Sequence, residues 1–144
     1  MALPDPAPGL VIGYAYLWRN EALKGLEEGR RDRPCVIVLA VQQAKARTVV
    51  TVAPITYSPP ERPEMAVEIP AETKKRLGLD GERSWVVVAD LNRFAWPGVD
   101  LRPVPRGKDT YAYGLLPAGF YREVRDRVLA IARAGRAALT NRTE

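Results

Sequence analysis

Residues 35–41 read Cys35-Val36-Ile37-Val38-Leu39-Ala40-Val41, and residues 48–55 read Thr48-Val49-Val50-Thr51-Val52-Ala53-Pro54-Ile55. Both runs are short, apolar and rich in β-branched side chains, a composition that favours buried strands over helices. The residues between them, 42–47, are mostly polar and provide a connection. The two runs therefore predict a β-hairpin.

Further strand-like runs lie on both sides of this hairpin. They cover residues 10–18, 65–69, 84–90 and 94–104, and the last run is interrupted by Trp96-Pro97-Gly98, which is typical of a bend. Turn residues separate the runs at the spacing of a small barrel rather than of βαβ units. The chain is therefore predicted to be mostly β.

Two helices are also predicted. A short helix over residues 71–77 should end at Gly78, because glycine is the usual residue after a helix C-terminus. A C-terminal amphipathic helix begins near Pro117 and should cover one open side of the barrel. Its apolar positions are Phe120, Val124, Val128, Ile131 and Ala132. The 144 residues are expected to form one domain, with residues 1–9 and 140–144 flexible.

Composition limits the chemistry that this chain can perform. It has no histidine and one cysteine, Cys35, which excludes the usual zinc sites, a Ser-His-Asp triad and a Cys-His pair. No Walker A or GxGxxG sequence occurs, so a nucleotide cofactor has no support in the sequence. We therefore expect the protein to use no metal and no cofactor. Cys35 lies in an apolar run and is predicted to be a small core residue.

The net charge and the absence of targeting signals suggest partners and a location. A formal charge of +5 favours polyanionic partners, although the excess is small. The chain contains no apolar run long enough to span a bilayer and no signal peptide at its start. We therefore expect a cytoplasmic protein with no membrane partner.

A charged loop precedes the predicted hairpin and reads Glu28-Gly29-Arg30-Arg31-Asp32-Arg33. Guanidinium groups bind phosphate oxygens well, and a nearby carboxylate can take a proton from a hydroxyl group. The loop therefore suggests that the protein acts on RNA. On this segment alone, a solvated hairpin tip that keeps strand edges soluble is at least as good an interpretation.

The order of several short motifs resembles the MazF/PemK family of type II toxin-antitoxin endoribonucleases. The motifs are a first strand with Gly13, the charged loop, Arg33-Pro34-Cys35-Val36-Ile37-Val38, Ala53-Pro54-Ile55-Thr56, Ser84-Trp85-Val86-Val87-Val88-Ala89-Asp90 and the terminal amphipathic helix. The resemblance implies an SH3-like barrel with short helices and a homodimer. It also implies metal-independent cleavage of single-stranded RNA and a cognate antitoxin whose acidic, disordered tail occupies a basic groove.

The resemblance also assigns candidate site residues. The catalytic candidates are Glu28, Arg33 and Asp90. The candidates for RNA binding are Arg30, Arg31, Thr56, Asn92 and Arg93. Val88 stands where some members of the family have an arginine. An equally good interpretation of Asp90 is a turn cap, or a buried carboxylate satisfied by backbone N–H groups.

RNA can be cleaved by such residues because the ribose 2′-hydroxyl is a built-in nucleophile. Glu28 would remove its proton, and Arg33, with Arg30 or Arg31, would bind the scissile phosphate, leaving a 2′,3′-cyclic phosphate. Arginine seldom gives up its proton, so the donor to the leaving 5′-oxygen is left open between water and a tyrosine.

Other functions also fit the sequence. A barrel of this type can be a non-catalytic binding module or can act on a protein target, as the related CcdB toxins act on gyrase, and a toxin-like protein without activity is a third alternative. A carboxylate at Glu28 would repel phosphate, so it favours catalysis over simple RNA binding. Tyr14, Tyr16 and Trp18 share one strand face, and core or dimer packing is the preferred interpretation over base stacking.

Overall fold

The computed structural model describes residues 3–25, 32–43, 47–105 and 110–142. Within these ranges the strands are β1 (Leu10–Ala15), β2 (Asp32–Gln43), β3 (Arg47–Thr56), β4 (Ala66–Glu68), β5 (Trp85–Val87), β6 (Asp90–Ala95), β7 (Ala112–Leu115) and β8 (Ala138–Asn141). The α-helices are α1 (Arg19–Leu23), α2 (Ala71–Leu77) and α3 (Ala118–Arg133). A single 3₁₀ turn covers Pro63–Met65.

The strands form a mostly antiparallel sheet in the order β4-β5-β3-β2-β1-β7, which confirms the mostly β prediction. The predicted hairpin is β2 and β3, in which Cys35 lies opposite Pro54 and Val41 lies opposite Val49. The long strand β3 pairs on its other side with β6 near its start and with β5 at its end. This division of partners curves the sheet into a small, barrel-like fold.

Two apolar clusters occupy the two faces of this sheet, because successive side chains of a strand point to opposite sides. One cluster contains Val36, Val38 and the apolar face of α3. The other contains Ile37, Val52, Tyr14 of β1 and Tyr16, which follows β1. Burial of each such aliphatic or aromatic side chain contributes about 1.5–3 kcal/mol, so packing holds α3 in place more than helix propensity does.

Both predicted helices are confirmed. Helix α2 ends at Gly78, whose φ of 73° is the left-handed conformation that glycine adopts without steric cost. Four predicted core positions of α3 are buried, namely Phe120, Val124, Val128 and Ile131, whereas Ala132 is exposed. No described helix is long and apolar enough to cross a membrane.

Two predicted strands differ from the observed ones. The run over residues 84–90 is split, because β5 ends at Val87. The Val88 N–H donates a hydrogen bond to the Met65 carbonyl, and the Ala89 carbonyl accepts one from the Ala138 N–H. The run over residues 94–104 is a strand only as far as Ala95. Beyond the bend, a single bridge joins Leu101 to Tyr14.

The C-terminal strand β8 is not predicted by the sequence. It pairs in parallel with β6, and Thr140 and Arg142 are buried, although residues 140–144 were expected to be flexible. Arg142 forms an ion pair of 3.0 Å with Asp100 and donates a hydrogen bond of 2.9 Å to the Ala15 carbonyl. These partners, and not the local sequence, order this segment.

Candidate active site

Three of the predicted site residues line one open groove of about 660 Å³. Arg33 comes from the start of β2, Thr56 from the end of β3 and Asp90 from the start of β6. Trp18 lies in the same groove, which we call the Asp90 groove. The strand order explains this meeting, because β3 pairs with β2 on one side and with β6 on the other.

A second, smaller cavity of about 230 Å³ shares Arg33 and Thr56 with the Asp90 groove. Its other lining residues include Tyr57 and Asp80, and we call it the Tyr57 cleft. The side chains of Arg33 and Thr56 therefore separate two cavities and are accessible from both.

Arg33 is held in place by an aromatic ring and a backbone carbonyl. Its guanidinium carbon lies 5.1 Å from the centroid of the Trp18 ring, and Nη1 donates a hydrogen bond of 3.3 Å to the Ile55 carbonyl. Its Nε is buried and makes no hydrogen bond with a described residue. Arg33 lines the Asp90 groove, and a guanidinium that is oriented in this way suits the binding of an anion such as phosphate.

Asn92 fixes the segment that carries Trp18. Its side-chain amide is fully buried at 0% exposure, accepts from the Leu17 N–H at 3.1 Å and donates to the Leu17 carbonyl at 2.8 Å. Asn92 was predicted to bind RNA, but its burial removes it from the residues that a ligand can touch. Its effect on the site is to position the chain that leads from β1 into α1.

Asp90 lines the groove, as a catalytic residue would, and is hydrogen-bonded to the protein, as a capping or buried carboxylate would be. Its Oδ1 accepts a hydrogen bond of 2.5 Å from the Tyr16 hydroxyl, and its Oδ2 accepts one of 3.2 Å from the Arg19 N–H. Burial raises the pKa of Asp90 above its usual range, although these two hydrogen bonds oppose the shift. Burial, reinforced by the Asp90 charge, also raises the pKa of Tyr16, so its hydroxyl stays protonated.

The remaining predicted site residues are not brought into the groove by the described structure. Arg93 is exposed, donates through Nε to Asn141 Oδ1 at 2.8 Å and is not among the described residues that line either cavity. It points to the opposite face of β6 from Asp90, since the two residues are three positions apart in a strand. Glu28, Arg30 and Arg31 lie outside the described residues.

Several residues that the sequence did not indicate shape the site. Residues 58–61, Met65 and Ala66 line one wall of the Asp90 groove, and α3 together with the segment after it anchors this wall. Arg136 forms an ion pair of 3.0 Å with Glu64, and Arg127 donates a hydrogen bond of 3.1 Å to the Pro63 carbonyl. More than 60 residues separate the partners along the chain, so no local pattern could have revealed them.

A metal ion would need several donor side chains close together among the described residues. No group of three or more histidine, cysteine, aspartate or glutamate side chains there is arranged to hold one. The charged side chains that line the Asp90 groove are Arg33, Glu61, Asp90 and Arg136, and Arg33 and Asp90 offer a cation and a carboxylate. Such a pair can bind an anion and exchange a proton with it.

Comparison with known proteins identifies the family. A comparison with curated proteins found no match to the chain. A family model described as the PemK-like, MazF-like toxin of type II toxin-antitoxin systems matches residues 18–95. The match runs from Trp18 to the end of β6 and includes Arg33, Thr56 and Asp90. It covers more than half of the 144 residues, and the chain therefore belongs to the PemK/MazF family of type II toxin-antitoxin toxins.

Proposed function

We propose that this toxin is an endoribonuclease that cleaves single-stranded RNA in the cytoplasm, without a metal ion, and leaves 2′,3′-cyclic phosphate ends. The observation that carries this proposal is the meeting of a guanidinium, a hydroxyl and a carboxylate in the Asp90 groove of a PemK/MazF-like fold. RNA supplies its own nucleophile, so the protein has to bind the phosphate, move two protons and stabilise developing charge.

Arg33 and Thr56 bind the scissile phosphate in this proposal. The Trp18 ring and the Ile55 carbonyl orient the Arg33 guanidinium, and its remaining N–H groups stabilise the charge that grows on the phosphoryl oxygens. The Thr56 hydroxyl accepts a hydrogen bond of 3.2 Å from the Ser58 N–H. Its own proton is then directed to another acceptor, and a phosphoryl oxygen can serve.

Two carboxylates are proposed as the base that removes the 2′-hydroxyl proton. Glu28 is the first choice by resemblance to the family, and Asp90 is the second. Each oxygen of Asp90 accepts one hydrogen bond from the protein and retains a lone pair for a further donor. Its raised pKa makes it a stronger base than an ordinary aspartate while it remains ionised.

The leaving 5′-oxygen takes its proton from water in this proposal. Tyr16 is close to Asp90, but it is buried and its hydroxyl already donates to that carboxylate. Its raised pKa also makes it a poor general acid near neutral pH. A water molecule in the open groove can reach the leaving oxygen, and the base that took the 2′-hydroxyl proton returns it to the hydroxide that remains.

Two partners belong to the same proposal. The toxin is proposed to act as a homodimer, and a cognate antitoxin with an acidic, disordered tail is proposed to block the groove, in line with the net charge of +5. Light scattering at micromolar concentration tests the dimer, and a monomer with full nuclease activity would contradict it. Binding of the neighbouring reading frame's product to the toxin tests the second partner.

Cleavage of a mixed RNA pool in the presence of EDTA, with mapping of the new ends, tests the proposed activity. Glu28→Gln should lower the cleavage rate by roughly 100-fold if Glu28 is the base, while RNA affinity stays level or rises. Glu123→Gln, which changes an exposed glutamate on α3, is the matched control and should cleave normally. A wild-type rate for Glu28→Gln, together with a loss for Asp90→Asn, would transfer the role to Asp90.

Arg33→Lys separates phosphate recognition from simple charge. Lysine keeps the positive charge but cannot present two parallel N–H donors, so we expect the rate to fall more than the affinity. Arg122→Lys, at an exposed position of α3, should leave both unchanged. If the wild-type toxin binds RNA but cuts none of it, the protein is a binding module and the nuclease proposal is wrong.

A further inference from the structure

Tyr57 is a fixed but exposed aromatic side chain beside the proposed phosphate site. It directly follows Thr56 at the end of β3, and 59% of its surface is exposed. Its hydroxyl donates a hydrogen bond to Asp80 Oδ2, and both residues line the Tyr57 cleft. A tyrosine with this exposure adds little to the core, so its fixed orientation needs another explanation.

Asp80 holds the Tyr57 ring in position and is itself held by two further groups. Its Oδ1 accepts from the Glu82 N–H at 3.0 Å and pairs with Lys74 Nζ at 3.5 Å. The Lys74 side chain is only 5% exposed, so its charge serves Asp80 and not a ligand. The ring therefore loses little conformational freedom when a partner stacks on it, which favours binding.

The charges of the Tyr57 cleft favour a neutral ring over a phosphate group. Asp32 and Asp80 both line the cleft, and Arg33 is the one cation among its described lining residues. A second phosphate placed there would face two carboxylates. The volume of about 230 Å³ is also below the roughly 300–1,000 Å³ of pockets for drug-sized ligands, and suits a single planar base.

The hydroxyl group of Tyr57 is unsuited to donate a proton to the leaving group. Its hydrogen bond to the ionised Asp80 raises the pKa of Tyr57 above its usual value. The same bond lowers the pKa of Asp80, so the carboxylate stays charged near neutral pH. A general acid works best with a pKa near the operating pH. The exposed ring, rather than the hydroxyl, is the group that this arrangement offers to a substrate.

We propose that Tyr57 is a stacking platform for one base of single-stranded RNA, next to the nucleotide whose phosphate is bound by Arg33. This inference rests on the proposed RNA-cleaving function and adds a base subsite to it. Stacking on an aromatic ring tolerates every base, because each base has a π-face. The subsite therefore contributes affinity and alignment more than sequence choice.

Binding of uncleavable oligomers tests the inference. The probes are a short 2′-O-methyl RNA of mixed sequence and an abasic oligomer of equal length, which keeps the phosphates and lacks the bases. From the usual energy of base stacking, Tyr57→Ala should weaken binding of the first probe by about 10-fold or more. It should leave binding of the abasic oligomer unchanged. A general distortion of the site would weaken both.

Two further variants separate the effect of the ring from that of the hydroxyl and provide a surface control. Tyr57→Phe keeps the ring and removes the hydroxyl, so it should bind the mixed-sequence oligomer within a few-fold of wild type. Val99→Ala alters an exposed side chain beyond the bend after β6 and serves as the surface control. Thermal unfolding of each variant verifies that the fold is retained.

The outcomes separate this inference from the proposed function. If wild-type protein binds and cleaves RNA but Tyr57→Ala binds both oligomers as wild type does, the stacking platform is wrong and the nuclease proposal stands. Equal weakening of both oligomers also overturns the platform, because the loss is then independent of the bases. If wild-type protein binds neither RNA probe, the proposed function and the inference fall together.

Discussion

Replacement of Arg142 by methionine is expected to destabilise the fold strongly, although Arg142 lies outside the segment that carries the family match. Arg142 pairs with Asp100 at 3.0 Å, and the two side chains are only 3% and 10% exposed. Its Nη1 also donates to the Ala15 carbonyl at 2.9 Å and to Asn92 Oδ1 at 3.1 Å. Methionine retains the length of the side chain and removes the charge and all of these donors.

The size of the stability loss follows from the buried charge that Asp100 keeps when Arg142 is replaced. Removal of one partner of a buried ion pair costs about 3–5 kcal/mol, because the other charge stays buried without compensation. Domains are stable by only about 5–15 kcal/mol, so this loss is a large share of the total. At roughly 2–4 °C per kcal/mol for a chain near this size, we expect Tm to fall by about 6–20 °C.

Urea and thermal unfolding measure this effect, with Arg122→Met as the control at an exposed arginine. Adding Asp100→Asn to Arg142→Met should recover part of the lost stability, because the uncompensated charge is then absent. A Tm within 2 °C of wild type for Arg142→Met, which corresponds to less than about 1 kcal/mol, would refute the reasoning. It would mean that solvent reaches Asp100 more freely than its burial indicates.

Four more outcomes are expected. Gly13→Ala should cost about 1–3 kcal/mol or more in urea unfolding, because a Cβ there would lie 2.4 Å from the Arg102 carbonyl oxygen, a backbone atom that cannot move freely. The Cys35 thiol is fully buried and burial raises its pKa, so it should react with iodoacetamide only after unfolding; rapid labelling of the native protein would contradict this. If Asp90 is the base, the acidic limb of the kcat/KM profile should lie above pH ~3.9, the usual pKa of aspartate, and a limb below that value would exclude Asp90. The pH dependence of stability has the opposite sign to that of activity, because folded Asp90 holds its proton more tightly than unfolded Asp90. Its contribution to stability is therefore greatest at low pH and declines as the pH rises through the folded pKa. Asp90→Asn should remove this slope from urea unfolding measured as a function of pH.

The parts of the fold that the sequence predicted are those that depend on neighbours along the chain. The hairpin of β2 and β3 follows from two apolar runs and a polar connection, and α2 follows from helix formers before Gly78. The buried face of α3 follows from apolar residues at helical spacing. In each case the pattern and its outcome lie within about 20 residues, so composition and period carried the information.

The parts that the sequence did not predict depend on distant partners. Strand β8 forms because β6, about 50 residues earlier, offers a free edge, and its short sequence carries no strong strand signal of its own. Asn92 was assigned to RNA binding through the family resemblance, and nothing nearby in the sequence indicates that it binds the backbone of Leu17, 75 residues away. The meeting of Arg33, Thr56 and Asp90 was assigned by family resemblance, and only the sheet order explains it physically.

A chain of contacts links the C-terminal segment to the candidate site and limits what a motif match can specify. Arg142 donates to Asn92, Asn92 holds both backbone groups of Leu17, and the next residue, Trp18, supplies the ring beneath the Arg33 guanidinium. Each link is buried or half-buried, so each is costly to break without a replacement partner. A truncated chain that keeps residues 18–95 would retain Arg33, Thr56 and Asp90 but would lose Arg142 and strand β8 beside β6. The matched segment thus contains the residues proposed for the site, whereas their orientation depends on residues that lie outside it.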